Sequence, residues 1–184
     1  MKTILQVEDD PNDVFLLQHA MNKVGVANPI QVATDGQQAI DYLKGTGEFA
    51  NREKFPLPCL VLLDLKLPLV MGLNVLKWIR QQPGPALVVV MLTASGEDAD
   101  IATAYRLGAN AFLTKPSRSS KLEDMVKAIK DFWLTHNVLP EESYREPAPA
   151  VAAPTRAICS RLKSALPISA AGHQRWHTNS QPSP

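Results

Sequence analysis

Cysteine is almost missing from this chain. Its 184 residues include two, Cys59 and Cys159, too few for a disulfide framework, and Cys59 sits in an apolar run that reads as a buried strand. No apolar run approaches the roughly 20 residues of a membrane helix. The first residues also lack the pattern of a secretory signal, so a cytoplasmic protein with no membrane partner is expected. Neither GxxxxGK[ST] nor GxGxxG occurs, which excludes the common phosphate-cradling nucleotide loops. Charge of one sign is lacking as well, at a net +1. Residues 1–143 carry 14 Lys and Arg against 17 Asp and Glu, whereas 144–184 carry 5 against 1. The larger part is mildly acidic and has no electrostatic reason to bind nucleic acid.

What remains is ordinary globular composition, 45% hydrophobic and 20% charged, with room for one domain and an appendage. The chain is organised around LVLLDLKLP (60–68). Its branched apolar residues read as a strand buried on both faces. Asp64 then stands where that run ends, at the mouth of a sheet. By itself it could be a turn aspartate.

Four similar strands flank it. TILQV (3–7) runs into Glu8, Asp9 and Asp10. Asp10 before Pro11, with Asp13 three residues on, reads as a helix start. Glu8 and Asp9 lie between strand and cap and have no such structural reason. A second strand (30–33) precedes a helix burying Ala39, Ile40 and Leu43, and 45–58 reads as a long loop. A third helix buries Val75, Leu76 and Ile79 before Pro83-Gly84-Pro85 breaks it. ALVVVMLTAS follows, an apolar strand ending in Thr93 and Ser95. The fourth helix (98–107) is closed by Gly108, and the brief fifth strand (111–113) ends in Thr114-Lys115-Pro116. The fifth helix carries Leu122, Met125, Val126, Ile129 and Trp133 on one face.

Five strands alternating with five helices imply an α/β doubly wound parallel sheet with right-handed crossovers. Ligands of such sheets bind beyond the carboxyl ends of the strands. The fold therefore gathers Glu8, Asp9, Asp64, Thr93 and Lys115. Carboxylates crowded at one rim repel one another and suit a hard cation such as Mg²⁺. A carboxylate can also attack phosphorus, with the developing charge met by a metal and fixed donors.

VEDDP, VLLDLKLP with Gly72 behind it, MLTAS and FLTKP, in this order and spacing, resemble the receiver domain of two-component response regulators. The resemblance covers residues 2 to about 136 and implies a flavodoxin-like (βα)5 fold with strand order 2-1-3-4-5. It implies that Asp64 accepts a phosphoryl group from a histidine kinase. Asp9 and Asp64 would bind Mg²⁺ directly, together with the backbone carbonyl of Lys66, and Glu8 through water or at the edge of the shell. Thr93 and Lys115 would hold the phosphoryl oxygens, and Phe112 would swing inward with Thr93. More narrowly, the ED pair before D-P-x-D, the long loop and the PxPxLVLLDLxLP phrase resemble the small stand-alone regulators paired with bacterial and cyanobacterial phytochromes.

The departures carry expectations of their own. Lys66 replaces the Asn or Arg frequent there, which its carbonyl role tolerates. Val70 and Met71 make the loop before Gly72 apolar, and a kinase-docking or dimer surface is expected from them. A homodimer is expected through the face of the fourth helix, fifth strand and fifth helix, with Phe132, Trp133, Leu134 and Val138 as surplus apolar surface. Residues 1–143 form the receiver, and 144–184, with six prolines, reads as a disordered, basic tail. Two alternatives stand beside this reading. One is a receiver-like binding module that is never phosphorylated. The other is an aspartyl-phosphate phosphatase of the haloacid dehalogenase type, disfavoured because Lys66 stands where its acid would be.

Overall fold

The computed structural model describes residues 2–83, 87–94 and 96–138. Ser95 and the expected tail, 144–184, lie outside the described residues. The elements run β1 (Thr3–Val7), α1 (Pro11–Lys23), β2 (Ile30–Ala33), α2 (Gly36–Lys44), a 3-10 turn (Gly47–Ala50), β3 (Pro58–Leu63), α3 (Gly72–Gln81), β4 (Val88–Thr93), α4 (Asp98–Arg106), β5 (Ala111–Thr114) and α5 (Ser119–Ile129). A π-helical extension (Lys130–His136) completes them. All five strands are parallel in the order β2-β1-β3-β4-β5. The doubly wound α/β expectation holds.

The continuous apolar runs are explained by the two-residue alternation of a strand with both faces covered. Leu5, Val7, Val61, Leu63, Val89 and Met91 face one core, shared with Val75, Leu76 and Ile79 of α3 and Ala39, Ile40 and Leu43 of α2. Ile4, Leu60, Leu62, Val88, Val90 and Leu92 face the other, shared with Leu17, Ala20 and Met21 of α1 and Leu122, Val126 and Ile129 of α5. The outer strands β2 and β5 are half-buried. Asp10 caps α1 as expected, accepting from the Asn12 N–H at 2.8 Å.

The 45–58 segment is more ordered than a plain loop. Tyr42, Phe49 and Phe55 form an aromatic cluster with ring centroids 5.1 to 6.1 Å apart. The Tyr42 hydroxyl donates to Pro56 O at 2.7 Å. Arg52 donates to the carbonyls of Tyr42 and Leu43, both at 2.7 Å, and of Phe55 at 3.2 Å, adding donors to the last turn of α2, where Tyr42 O also accepts from the Gly45 N–H at 3.1 Å.

The expected single fifth helix is instead an α-helix followed by π-helical turns. Trp133, expected on the Ile129 face, and its neighbour Leu134 both pack against the α1–α5 core, where they are partly buried. Phe132 and Val138 stay exposed. Of the expected surplus apolar surface, then, half belongs to the domain's own core.

Candidate functional site

Backbone pairing places the carboxyl ends of the strands level with one another. Val7 is in register with both Ala33 and Leu63. One residue further, the Glu8 N–H donates to Ala33 O at 2.9 Å and the Asp64 N–H to Val7 O at 3.0 Å. The acids that leave β1 thus stand beside the acid that leaves β3. At this point the chain order reverses in the sheet, where open α/β sheets hold their ligands. On the far side, the Lys115 N–H donates to Thr93 O at 2.7 Å and ties the end of β5 to that of β4.

One carboxylate oxygen each from Glu8, Asp9 and Asp64 lies within 4.8 Å of the others. Glu8 and Asp64 are buried, at 4% and 8% exposure, and Asp9 is exposed. Lys115 reaches into the group. Its Nζ pairs with Glu8 Oε2, with Asp13 Oδ2 at 2.8 Å and with Asp64 Oδ2 at 3.6 Å. The other Asp64 oxygen, Oδ1, accepts from the Leu65 N–H at 2.6 Å. Burial pushes the Glu8 carboxyl above its ordinary value, against the pull of Lys115. Burial also works to lower the Lys115 ammonium, but its hydrogen bonds to Asp13 and Glu8 outweigh that and hold it above the usual lysine range. Among the described residues, a single fixed cation among four acidic side chains leaves room, electrostatically, for a further positive charge. The three-oxygen donor set suits a hard divalent ion.

Strand alternation divides the site in two. Glu8, Asp64 and Lys115 continue the face that meets α1 and α5, whereas Thr93 and Phe112 continue the face with Met91 that meets α3 and α4. Thr93 is 2% exposed. The Phe112 ring presses on Gly96, where a Cβ would lie 2.8 Å from its Cε1. Thr93 and Phe112 therefore share one face of the sheet.

The structure brings Glu8, Asp9, Asp64 and Lys115 together, with Thr93 on the adjoining strand end. The Lys66 side chain points to solvent between buried Leu65 and Leu67. Asp13 is the residue the sequence reading missed. Its sequence context explains it as part of a helix start, yet its place in the first turn of α1 also aims it at the site. Val70 also differs from expectation. It is half-buried against the α2–α3 core, while Leu69 and Met71 are exposed, so only the latter two offer apolar surface.

Residues 4–127 match the family model of the response regulator receiver domain. The chain belongs to this family. Among curated relatives, the receiver is 37% identical over 140 residues to the response regulator Rcp1 of Synechocystis, an alignment covering 76% of this chain and 93% of Rcp1. Among solved structures it resembles the Mn²⁺-bound form of Rcp1, with a TM-score of 0.67, 37% identity and coverage of 76% and 99%. It also resembles the phosphorylated cyanobacterial phytochrome response regulator RcpA, with a TM-score of 0.69, 37% identity and coverage of 76% and 98%. No helix among the described residues of the receiver is long and apolar enough to cross a membrane.

Proposed function

We propose that this receiver accepts a phosphoryl group on Asp64 from a histidine kinase of the phytochrome type, in a Mg²⁺-dependent reaction, and signals by protein contact. The observation that carries the reading is the asymmetry of the Asp64 carboxylate. Oδ1 is held by the Leu65 N–H, whereas Oδ2 faces Lys115 from 3.6 Å at the mouth of the sheet. Oδ2 is therefore the nucleophile. It attacks the phosphorus of a phosphohistidine, a P–O bond forms and the P–N bond breaks. The electron pair stays on the donor imidazole, which leaves as the neutral ring when its other nitrogen carries a proton. Lys115 meets the charge on the transferring oxygens, and Thr93 offers a hydroxyl from β4. Asp9, Asp64 and the Lys66 carbonyl would hold Mg²⁺, with Glu8 at the edge of the shell, and the ion would neutralise charge as the phosphoryl group transfers. That RcpA is known in a phosphorylated form and Rcp1 with Mn²⁺ supports both parts.

The protein acts as a phosphoacceptor that loses its own phosphoryl group to water, rather than as an enzyme turning over a substrate. The switch comprises Thr93 and Phe112. Phosphoryl oxygens draw the Thr93 hydroxyl inward, and Phe112 on the same face follows, which is a population shift limited by the differential contacts of the two states. The output is a homodimer through α4, β5 and α5, where Tyr105 is exposed on α4 and Phe132 in the helical extension. A cytoplasmic setting without nucleic-acid contact belongs to the same reading. Transfer from a ³²P-labelled phytochrome histidine kinase tests it. Label should move to the parent protein in Mg²⁺ and not to Asp64→Asn, and failure of the parent to accept label from any such kinase contradicts the kinase assignment.

A further inference from the structure

Two helices of this receiver open on a glycine that their backbone does not require. Gly36 begins α2 and Gly72 begins α3, and neither has a positive φ. Any residue could adopt their conformation, and helix propensity would favour alanine. Space explains both. A Cβ on Gly72 would lie 2.0 Å from Asp64 O, and one on Gly36 would lie 1.9 Å from Val70 O and 2.8 Å from Val70 Cβ.

Both close approaches fall on one loop, the one from Asp64 to α3. Gly72 seats its root, with its N–H donating to Leu65 O at 3.0 Å. Gly36 seats its crown, with its N–H donating to Pro68 O at 3.4 Å. The same Pro68 oxygen accepts from the Val70 N–H at 2.7 Å. That closes a three-residue turn about Leu69, which is held at φ 61. Between root and crown, Leu65 and Leu67 are buried. The backbone of Lys66 is thus fixed from both sides, by buried side chains along the chain and by the two glycine seats at its ends.

We propose that Gly36 is a positioning residue for the phosphoryl and metal site. By lacking a side chain it lets the loop crown close on α2, and this sets where Asp64 and the Lys66 carbonyl stand. Gly36 acts through Val70 and touches no reacting group. The inference rests on the roles given above to Asp64 and Lys66. If Gly36 served packing alone, a Cβ there would lower stability and leave the site's affinity unchanged.

The test is Mg²⁺ affinity of the full, unphosphorylated chain, measured for the parent, Gly36→Ala and Gly25→Ala at a temperature where all three are folded. Gly25 lies beyond the far end of α1, has φ 74, and a Cβ there would meet only Lys130 Nζ at 3.5 Å, so its substitution strains the fold without touching the loop. Gly36→Ala should weaken Mg²⁺ binding about tenfold, which corresponds to about 1.4 kcal/mol, while Gly25→Ala binds like the parent. Parent-like binding by Gly36→Ala overturns the proposal, and so does an equal loss in Gly25→Ala. Should Gly36→Ala not fold, Val70→Gly is compared with Met71→Ser. A several-fold loss confined to Val70→Gly upholds the proposal, and equal affinities overturn it. A parent that binds no Mg²⁺ refutes the site assignment itself and the inference with it, an outcome distinct from any selective change among variants.

Discussion

Asp13 holds the ammonium of Lys115 at 2.8 Å, so a carboxylate from the first turn of α1 steadies the cation that faces the phosphoacceptor. The pairing is lopsided. Among the described residues Lys115 is the positive charge shared by Glu8, Asp13 and Asp64, whereas each acid is one of several partners. Asp13 is also a third exposed, and water can replace its contact. Asp13→Asn should therefore cost about 1 kcal/mol or less. Lys115→Met leaves buried acids facing each other and should cost on the order of 3 kcal/mol. Denaturant titration without divalent cations checks the ranking, and equal losses would show that Lys115 is not central to the cluster.

Metal should bind through Asp9 more than through Glu8. Glu8 is buried and committed to Lys115 and, at 3.4 Å, to the Asp10 N–H, while Asp9 is exposed at the mouth. Saturating Mg²⁺ should raise the parent's unfolding free energy by about 2.7 kcal/mol at a hundredfold excess over Kd. Asp9→Ala should abolish most of that gain and Glu8→Gln only part of it. The check is a series of thermal melts with and without Mg²⁺, and a larger loss at Glu8 refutes the ranking.

Tyr42 should set an alkaline limit on stability. Burial pushes its hydroxyl up from 10.0 to about 12, with the Arg52 charge opposing. The folded state therefore keeps a proton that the unfolded chain releases near pH 10. The stabilisation is complete below that pH and is lost as pH rises through about 12, on the order of 2 to 3 kcal/mol in all. Tyr42→Phe removes this dependence, along with the hydrogen bond to Pro56 O. Its stability between pH 9 and 12 should fall less steeply than the parent's, and parallel slopes would contradict the assignment.

The strand pattern and the rim residues were legible in the sequence because β1, β3 and β4 are apolar on both faces and end abruptly in polar groups. Asp64, Glu8, Asp9, Thr93 and Lys115 could be collected from that alone, together with the rule that ligands meet strand ends. Asp13 escaped because one residue served two purposes, and helix-start chemistry accounted for it first. Gly36 escaped because its reason is a neighbour 34 positions away, which no local pattern records. The winding of 130–136 was equally hidden. A helical periodicity that puts Trp133 on the Ile129 face says nothing of a π-helical continuation in which Leu134 packs inward as well.

Self-association should depend on surface residues of α4 and of the extension. Tyr105 and Phe132 are about half exposed, at 52% and 57%, although the Phe132 ring also rests edge-on against Trp133 at 4.7 Å. The parent should sediment as a dimer at micromolar concentration, and Tyr105→Glu with Phe132→Glu as a folded monomer, with a melting temperature lower only by the loss of association. Parent and variant both monomeric, with and without phosphorylation, would rule the dimer out.

The switch should respond to a single hydroxyl. Phe112 packs on Gly96 and brings no polar group that burial would leave unsatisfied. Its inward state is therefore open before phosphorylation. Phe112→Tyr should weaken self-association of the unphosphorylated protein, measured by sedimentation, and unchanged or stronger association would count against this arrangement.

The phosphoacceptor itself is tested most directly by intact-mass measurement after incubation with acetyl phosphate and Mg²⁺. The parent should gain one phosphoryl mass, Asp64→Asn none, and the parent none when the divalent ion is chelated. Labelling of Asp64→Asn to the parent's extent, or a parent that stays unlabelled in Mg²⁺, would contradict the account.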